Sequence, residues 1–105
     1  MTIRISDELK KYLDTKKKKN IVVEVATTDT SDFDVSEIFI RLCDHKHREY
    51  LKGKKGYREY PIENVDIDDH SVLIKPYVMH ISDEVSFDLK KYWIFNKIVY
   101  SGIKL

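Results

Sequence analysis

The chain has a single cysteine, Cys43, and so no second thiol to pair with it. That excludes an intrachain disulfide framework, an all-thiolate zinc site and an iron–sulfur cradle built from one copy alone. Phosphate loops, dinucleotide fingerprints and nucleophile elbows are also missing, so the common nucleotide-dependent and serine-hydrolase chemistries have no local signature. No apolar run approaches the ~18 residues that span a bilayer, and no leader pattern opens the chain. These absences, with the unpaired thiol, point to a reducing cytoplasm and to no membrane partner. An excess of one charge is lacking too. Lys plus Arg number 19 and Asp plus Glu 18, a formal net charge of +1. Near-balance argues against a protein whose main task is neutralising many phosphates.

At 105 residues the chain has the length of one domain, expected over 1–105. A domain of this size buries roughly 65% of its unfolded surface and needs no metal or disulfide staple. Apolar residues make up 42% and charged residues 35%, the latter well above the usual ~25%. Most of the surface is therefore charged.

Local patterns give an α+β reading, a small mixed β core of about six short strands with one packed N-terminal helix. Ile3 and Ile5 alternate with Thr2 and Arg4 as a strand. Ser6, Asp7 and Glu8 suit a helix start; Leu9, Tyr12 and Leu13 form its apolar stripe, and Lys16 to Lys19 its basic end, with Asn20 as the left-handed stop. Ile21 to Val25 and Ile38 to Leu42 read as strands. The stretch from Thr27 to Asp34 is polar and turn-prone. Asp44 to Gly56 is basic, with Gly53 and Gly56, and reads as an exposed loop with one helical turn. Tyr57 to Ile62 suits an edge strand because of Pro61; Val72 to Ile74 and Val85 to Leu89 suit further strands. Tyr92 to Val99 is dense in apolar residues without a deciding period, so helical turn and strand both fit. The expected core is Ile3, Ile5, Leu9, Leu13, Val23, Val25, Ile38, Ile40, Leu42, Val72, Ile74, Val85, Phe87, Leu89, Phe95 and Val99.

Four groups carry chemistry. On an extended strand Cys43, His45 and His47 would face one way, a soft donor set suited to zinc, nickel or copper, with His70 or His80 as fourth ligand. The competing reading is an apolar cysteine at a strand end followed by two solvated histidines. Asp66 to His70 superficially resembles a calcium loop, but the glycine and the distant glutamate of such loops are missing, which favours a charged turn. Lys46, Arg48, Lys52, Lys54, Lys55 and Arg58 alternate with Tyr50 and Tyr57; cations on phosphates and rings on bases would grip a single strand of nucleic acid. Tyr92, Trp93, Phe95 and Tyr100 exceed what a small core readily hides, and an unburied remainder marks an association surface. The bland alternative is a central strand buried on both faces.

The order of elements resembles the HesB-like, or A-type, iron–sulfur carriers. The residues concerned are Ile3 to Leu13, Ile21 to Val25, Ile38 to Leu42, then Val72-Leu73-Ile74-Lys75-Pro76-Tyr77 and Val85 to Leu89, with Lys75-Pro76 where that family usually has Asp-Pro. The closing Ile98-Val99-Tyr100-Ser101-Gly102-Ile103 resembles the ends of the small CC/Se-motif proteins of anaerobes. The family's ligands are a cysteine in the loop after the second strand and a Cys-x-Cys near the C-terminus. Here Ala26 to Asp32 and Ser101 to Leu105 hold no thiol, and Cys43 is not at a matching position, so no ligand carries over and no cofactor is expected. The resemblance implies a carrier scaffold without its cluster chemistry. The leading expectation is a non-enzymatic cytoplasmic protein that binds another protein or itself through the aromatic C-terminal region. Nucleic-acid binding by Lys46 to Arg58 and metal binding by Cys43, His45 and His47 are the alternatives.

Overall fold

A computed structural model of the chain describes residues 2–29, 34–63, 65, 70–76 and 79–105, with the side chains of residues 27–29, 34 and 35 left aside. The expected Asp66 to Asp69 turn lies outside the described residues. The elements run β1 (Thr2–Ile5), α1 (Asp7–Lys16), β2 (Asn20–Asp29), β3 (Asp34–Cys43), α2 (His45–Lys52), β4 (Arg58–Pro61), β5 (Ser71–Ile74), β6 (His80–Tyr92) and β7 (Phe95–Lys104). They form a small α+β fold of two mixed sheets, ordered β1-β6-β7 and β3-β2-β5-β4. In the first, β1 runs parallel to β6 and β7 antiparallel to it. In the second, β2 lies parallel to β5 and antiparallel to β3. Among the described residues no helix is long and apolar enough to cross a membrane.

α1 starts as the sequence indicates. The Ser6 Oγ accepts from the Leu9 N–H at 3.1 Å, Asp7 and Glu8 sit at the positive end of the dipole, and Leu9 and Leu13 are buried. It stops elsewhere than expected. Lys17, not Asn20, takes the left-handed conformation (φ 57°, ψ 24°) and donates its N–H to the Asp14 carbonyl. A side chain is strained there and glycine is not. Lys17→Gly is expected to stabilise the protein by about 0.5–1 kcal/mol, allowing for the looser unfolded chain. Thermal unfolding would read this as a raised midpoint; an unchanged or lowered one contradicts the left-handed cap.

The main core lies between the sheets and α1: Ile3, Ile5, Leu9, Leu13, Ile21, Val23, Ile62, Val72, Ile74, Val85, Phe87, Leu89 and Ile103. A second, smaller core lies on the opposite face of the four-stranded sheet, where α2 covers Val22, Cys43 and Leu73 with Leu51, and Tyr57 closes its edge. β5 and the first part of β2 are thus buried on both faces, and Ile21, Val22 and Val23 are all fully covered. This corrects the loop expected from Asp44 to Gly56, most of which is helix. The Asp44 carboxylate caps that helix by accepting from the His47 N–H at 2.8 Å.

Other expected core positions are not fully buried. Val25, Ile38, Ile40, Leu42 and Val99 are half-buried and Phe95 is exposed. For the β3 residues the reason is topological, since β3 is an end strand and the sandwich is open along that side, whereas Phe95 and Val99 alternate with Ile98 and Tyr100 onto the outer face of the other sheet. The stretch from Tyr92 to Val99 is a turn followed by a strand, as one of the two expectations has it, but the turn is that of a hairpin and not helical: β6 ends at Tyr92, Trp93 and Ile94 make the turn, and β7 begins at Phe95.

Candidate functional site

The β6–β7 ladder sets the geometry of the aromatic group. Its last pairs are Leu89↔Ile98, Lys90↔Lys97, Lys91↔Asn96 and Tyr92↔Phe95. Leu89 is the last fully buried residue on β6, and every residue from Lys90 to Lys97 is exposed, so the hairpin end projects beyond the core. At the apex Trp93 is 100% exposed, Ile94 86%, Phe95 57% and Tyr92 45%. The rings of Tyr92 and Phe95, opposite each other in the ladder, stack at 5.1 Å between centroids with planes 24° apart. Such a pair stabilises by about 0.5–1.5 kcal/mol beyond its buried area, so it stiffens the base of the turn. Tyr100 is not part of this patch. Strand alternation puts it with Ile98 on the face turned to the open side of the sandwich. Ile94 also belongs to the apex, although the four aromatic residues singled out from the sequence do not include it; its signal is the unbroken apolar run from Tyr92 to Phe95.

Along that open side runs a groove of about 600 Å³ between β3 and β7, lined by Tyr12, Ile38, Ile40, Leu42, Ile98 and Tyr100. Phe39, Glu37, Arg41, Asn96 and Lys97 complete its wall. Its floor is the half-buried apolar row of β3 that alternation had marked as core.

The basic stretch is divided by the fold. Arg48 is buried, with its Nη1 donating to the Asn20 Oδ1 at 3.4 Å and its Nη2 to the His45 Nδ1 at 2.8 Å, and Glu49 and Glu59 lie 3.4 and 3.8 Å away. Lys52 pairs with Glu49 and Glu59, and the half-buried Tyr57 donates its hydroxyl to Glu24 at 2.6 Å. Lys46, Tyr50, Lys52, Lys54, Lys55 and Arg58 remain exposed, and the Lys54 ammonium sits 4.9 Å over the Tyr50 ring. The fold therefore commits Arg48 and Tyr57 to internal partners.

The proposed metal ligands are likewise separated. Convergence of Cys43, His45 and His47 needs extended backbone, but α2 begins at His45. Cys43 is buried in the smaller core, which pushes its thiol pKa up and disfavours the thiolate. Guanidinium groups only donate, so the imidazole nitrogens facing Arg48 (His45 Nδ1) and Arg41 (His47 Nε2, 2.9 Å) act as acceptors and their lone pairs are engaged. His70 is buried against Asp14 at 3.2 Å, and His80 is exposed at the start of β6. Among the described residues no three His, Cys, Asp or Glu side chains gather as a ligand set.

A polar cluster that the sequence did not reveal fixes the outer face of the four-stranded sheet. The Glu24 carboxylate accepts from the Arg41 Nε at 2.9 Å and from the Tyr57 hydroxyl. Burial alone would raise the Glu24 pKa, but the Tyr57 and Arg41 hydrogen bonds outweigh it and hold the carboxyl below its ordinary value. A depressed folded pKa gives stabilisation that is complete above the ordinary carboxylate range and lost as pH falls through the folded value. Glu24→Gln is expected to cost about 1–2 kcal/mol near neutrality, the difference between charged and neutral acceptors. Urea unfolding at a series of pH values should show that gap closing in acid. A gap independent of pH would mean that charge at this position does not matter.

Comparison of the chain with protein-family models, with curated proteins and with solved structures finds no match.

Proposed function

We propose that this is a small non-enzymatic binding protein of the cytoplasm, built on a HesB-like scaffold without cluster ligands, which docks on another protein or on a second copy through the β6–β7 hairpin. The order of β1, α1, β2 and β3, followed by the later strands β5 and β6, supports the scaffold reading, as it is the order on which the sequence resemblance rests.

One observation carries the docking role: the apex holds four consecutive large apolar side chains, with Trp93 wholly in solvent. Clustered apolar side chains are uncommon on monomer surfaces, and tryptophan and tyrosine are enriched among residues that dominate binding energy. Turn positions ordinarily carry glycine, asparagine or aspartate, so local structure does not account for Trp93 and Ile94. The nucleic-acid alternative is less favoured because Arg48 and Tyr57 already have partners within the fold.

A photo-cross-linking residue placed at position 93, and at Lys11 on α1 as a control, tests this reading. Discrete adducts are expected from position 93 and none from position 11, whether formed with the purified protein or in cell extract. Adducts absent from position 93, or equal at both positions, would overturn it.

A further inference from the structure

Among the described residues, none covers the apolar apex of the β6–β7 hairpin or the groove between β3 and β7. We infer that the groove between β3 and β7 receives the hairpin apex of a second copy, and that two copies do this reciprocally as a two-fold dimer. The inference rests on the docking role proposed for the apex and names its partner.

The groove has an apolar floor under a rim that mixes polar and apolar groups, which suits an indole ring with its one polar N–H. Its floor is Ile38, Ile40, Leu42 and Ile98, and its volume of about 600 Å³ lies within the range of binding clefts. Both flanking strands have a free edge: among the described residues β3 pairs with β2 alone and β7 with β6 alone. An entering chain therefore meets both apolar side chains and open backbone groups.

The occupant cannot be the molecule's own apex. Pairing runs unbroken from Ser86↔Ser101 to Tyr92↔Phe95, and Asn96 to Tyr100 of the same ladder form one groove wall. To reach the groove the apex would have to break the ladder that builds it. A second copy has no such restriction.

The plug also lies close in sequence to the β7 wall of the socket. Trp93 to Phe95 precede Ile98 by three to five residues, about 10–17 Å at ~3.4 Å per residue. Two copies with their β7 strands antiparallel bring each apex to the other's groove, an isologous contact that closes at two subunits.

Area favours this reciprocal arrangement. At about 150–250 Å² per ring, Trp93 with the exposed part of Ile94 offers roughly 400 Å² toward the groove, since Tyr92 and Phe95 stack on the other face of the ladder. Two apices and the walls they cover give roughly 1,600 Å² in total, the size of a specific interface, while a single apex in a foreign pocket gives half of that. Charge does not supply the attraction. Lys90, Lys91 and Lys97 surround the apex, and Glu37 is the groove's one carboxylate among the residues lining it. Apolar contact must outweigh that repulsion, and salt should help it.

Sedimentation of the purified protein from about 10 to 300 µM, a range that brackets weak specific association, tests the inference. A dimer is expected in wild type, and monomers in Trp93→Asp and in the groove variants Phe39→Asp and Tyr100→Asp. All three side chains are exposed, so folding should survive their replacement, which circular dichroism checks. Trp93 is the sole tryptophan, so its emission should shift to the blue as the dimer forms. The dimer should persist when salt is raised from about 0.15 to 1 M, shortening the screening length from ~8 to ~3 Å. A wild type that stays monomeric overturns the inference, and the broader docking role then stands or falls on adducts to other proteins from position 93. A dimer that survives Trp93→Asp, that ignores both groove changes, or that dissolves in high salt also overturns it.

Discussion

Gly102→Ala is expected to destabilise the protein by about 2–4 kcal/mol, combining a left-handed backbone penalty with overpacking against neighbouring main chain. Gly102 has φ +88°, a region costly to any residue with a Cβ. A Cβ there would run into the Glu84 carbonyl oxygen and come within 3.1 Å of the Glu84 carbonyl carbon and the Val85 Cα. These are backbone atoms and cannot swing away. They are held in turn by β1, because Thr2 pairs with Glu84 and Ile3 with Val85.

The register explains the crowding. Ile81 pairs with Ile103 and Ser86 with Ser101, so Gly102 alone stands opposite Ser82 to Val85. β6 bulges there, and the bulge lets one strand serve β7 on one side and β1 on the other. In urea, at an m-value of about 1–1.5 kcal/mol/M, the loss should lower the midpoint by roughly 2 M with the slope unchanged. Gly53→Ala is the control. Its φ is −79° and its nearest contact is the Tyr50 carbonyl at 3.5 Å, so it should be neutral or slightly stabilising. If both changes cost the same, close approach at the bulge is not what Gly102 provides.

The parts of this architecture that could be read in the sequence are those in which local chemistry and tertiary environment agree. β1 and α1 are legible because Ser6, the acidic first turn and the Leu9–Leu13 spacing all give the same answer. α2 is not, because HKHREYLK buries only Leu51 and the stem and head of Arg48, and two buried positions make no recognisable stripe. Its cover changes the meaning of β2. Alternation puts Val22 in solvent, whereas a sheet covered on both faces buries Ile21, Val22 and Val23 alike.

β3 fails in the opposite sense. Its alternation is correct, but Ile38, Ile40 and Leu42 face a side of the sandwich with no further strand over it. Periodicity gives the face of a strand and not what lies across from it. The β6–β7 turn was hidden because Trp93 and Ile94 carry no turn chemistry, and that same violation makes the apex a candidate site. For the metal candidates the backbone differs from the extended strand that their spacing assumes: Asp44 caps α2, so Cys43 ends β3 while His45 and His47 lie on the helix. Among the described residues, the groove and the apex are thus places where an otherwise consistent pattern is left incomplete.

The same α2 that escaped the sequence reading is anchored through one amide, and Asn20→Leu is expected to cost about 3 kcal/mol by leaving buried donors without an acceptor. Asn20 is 2% exposed at the start of β2. Its Oδ1 accepts from the Ser71 N–H and hydroxyl, both at 3.1 Å, and from Arg48 at 3.4 Å; its Nδ2 donates to the Cys43 carbonyl at 3.4 Å. One side chain thus links the end of β3, the start of β5 and the middle of α2. Leucine matches it in size and supplies none of these groups. Asn20→Asp keeps the acceptor beside Arg48 and loses only the donor, so its cost should fall between wild type and Asn20→Leu. Hydrogen exchange should locate the damage: in Asn20→Leu the α2 amides should lose protection before those of β2 and β6, because helix and sheet are joined there by four small apolar side chains and this network. Uniform loss of protection would mean that α2 and the sheets unfold as one unit. Equal costs for Asp and Leu would mean that the acceptor is not what holds the helix.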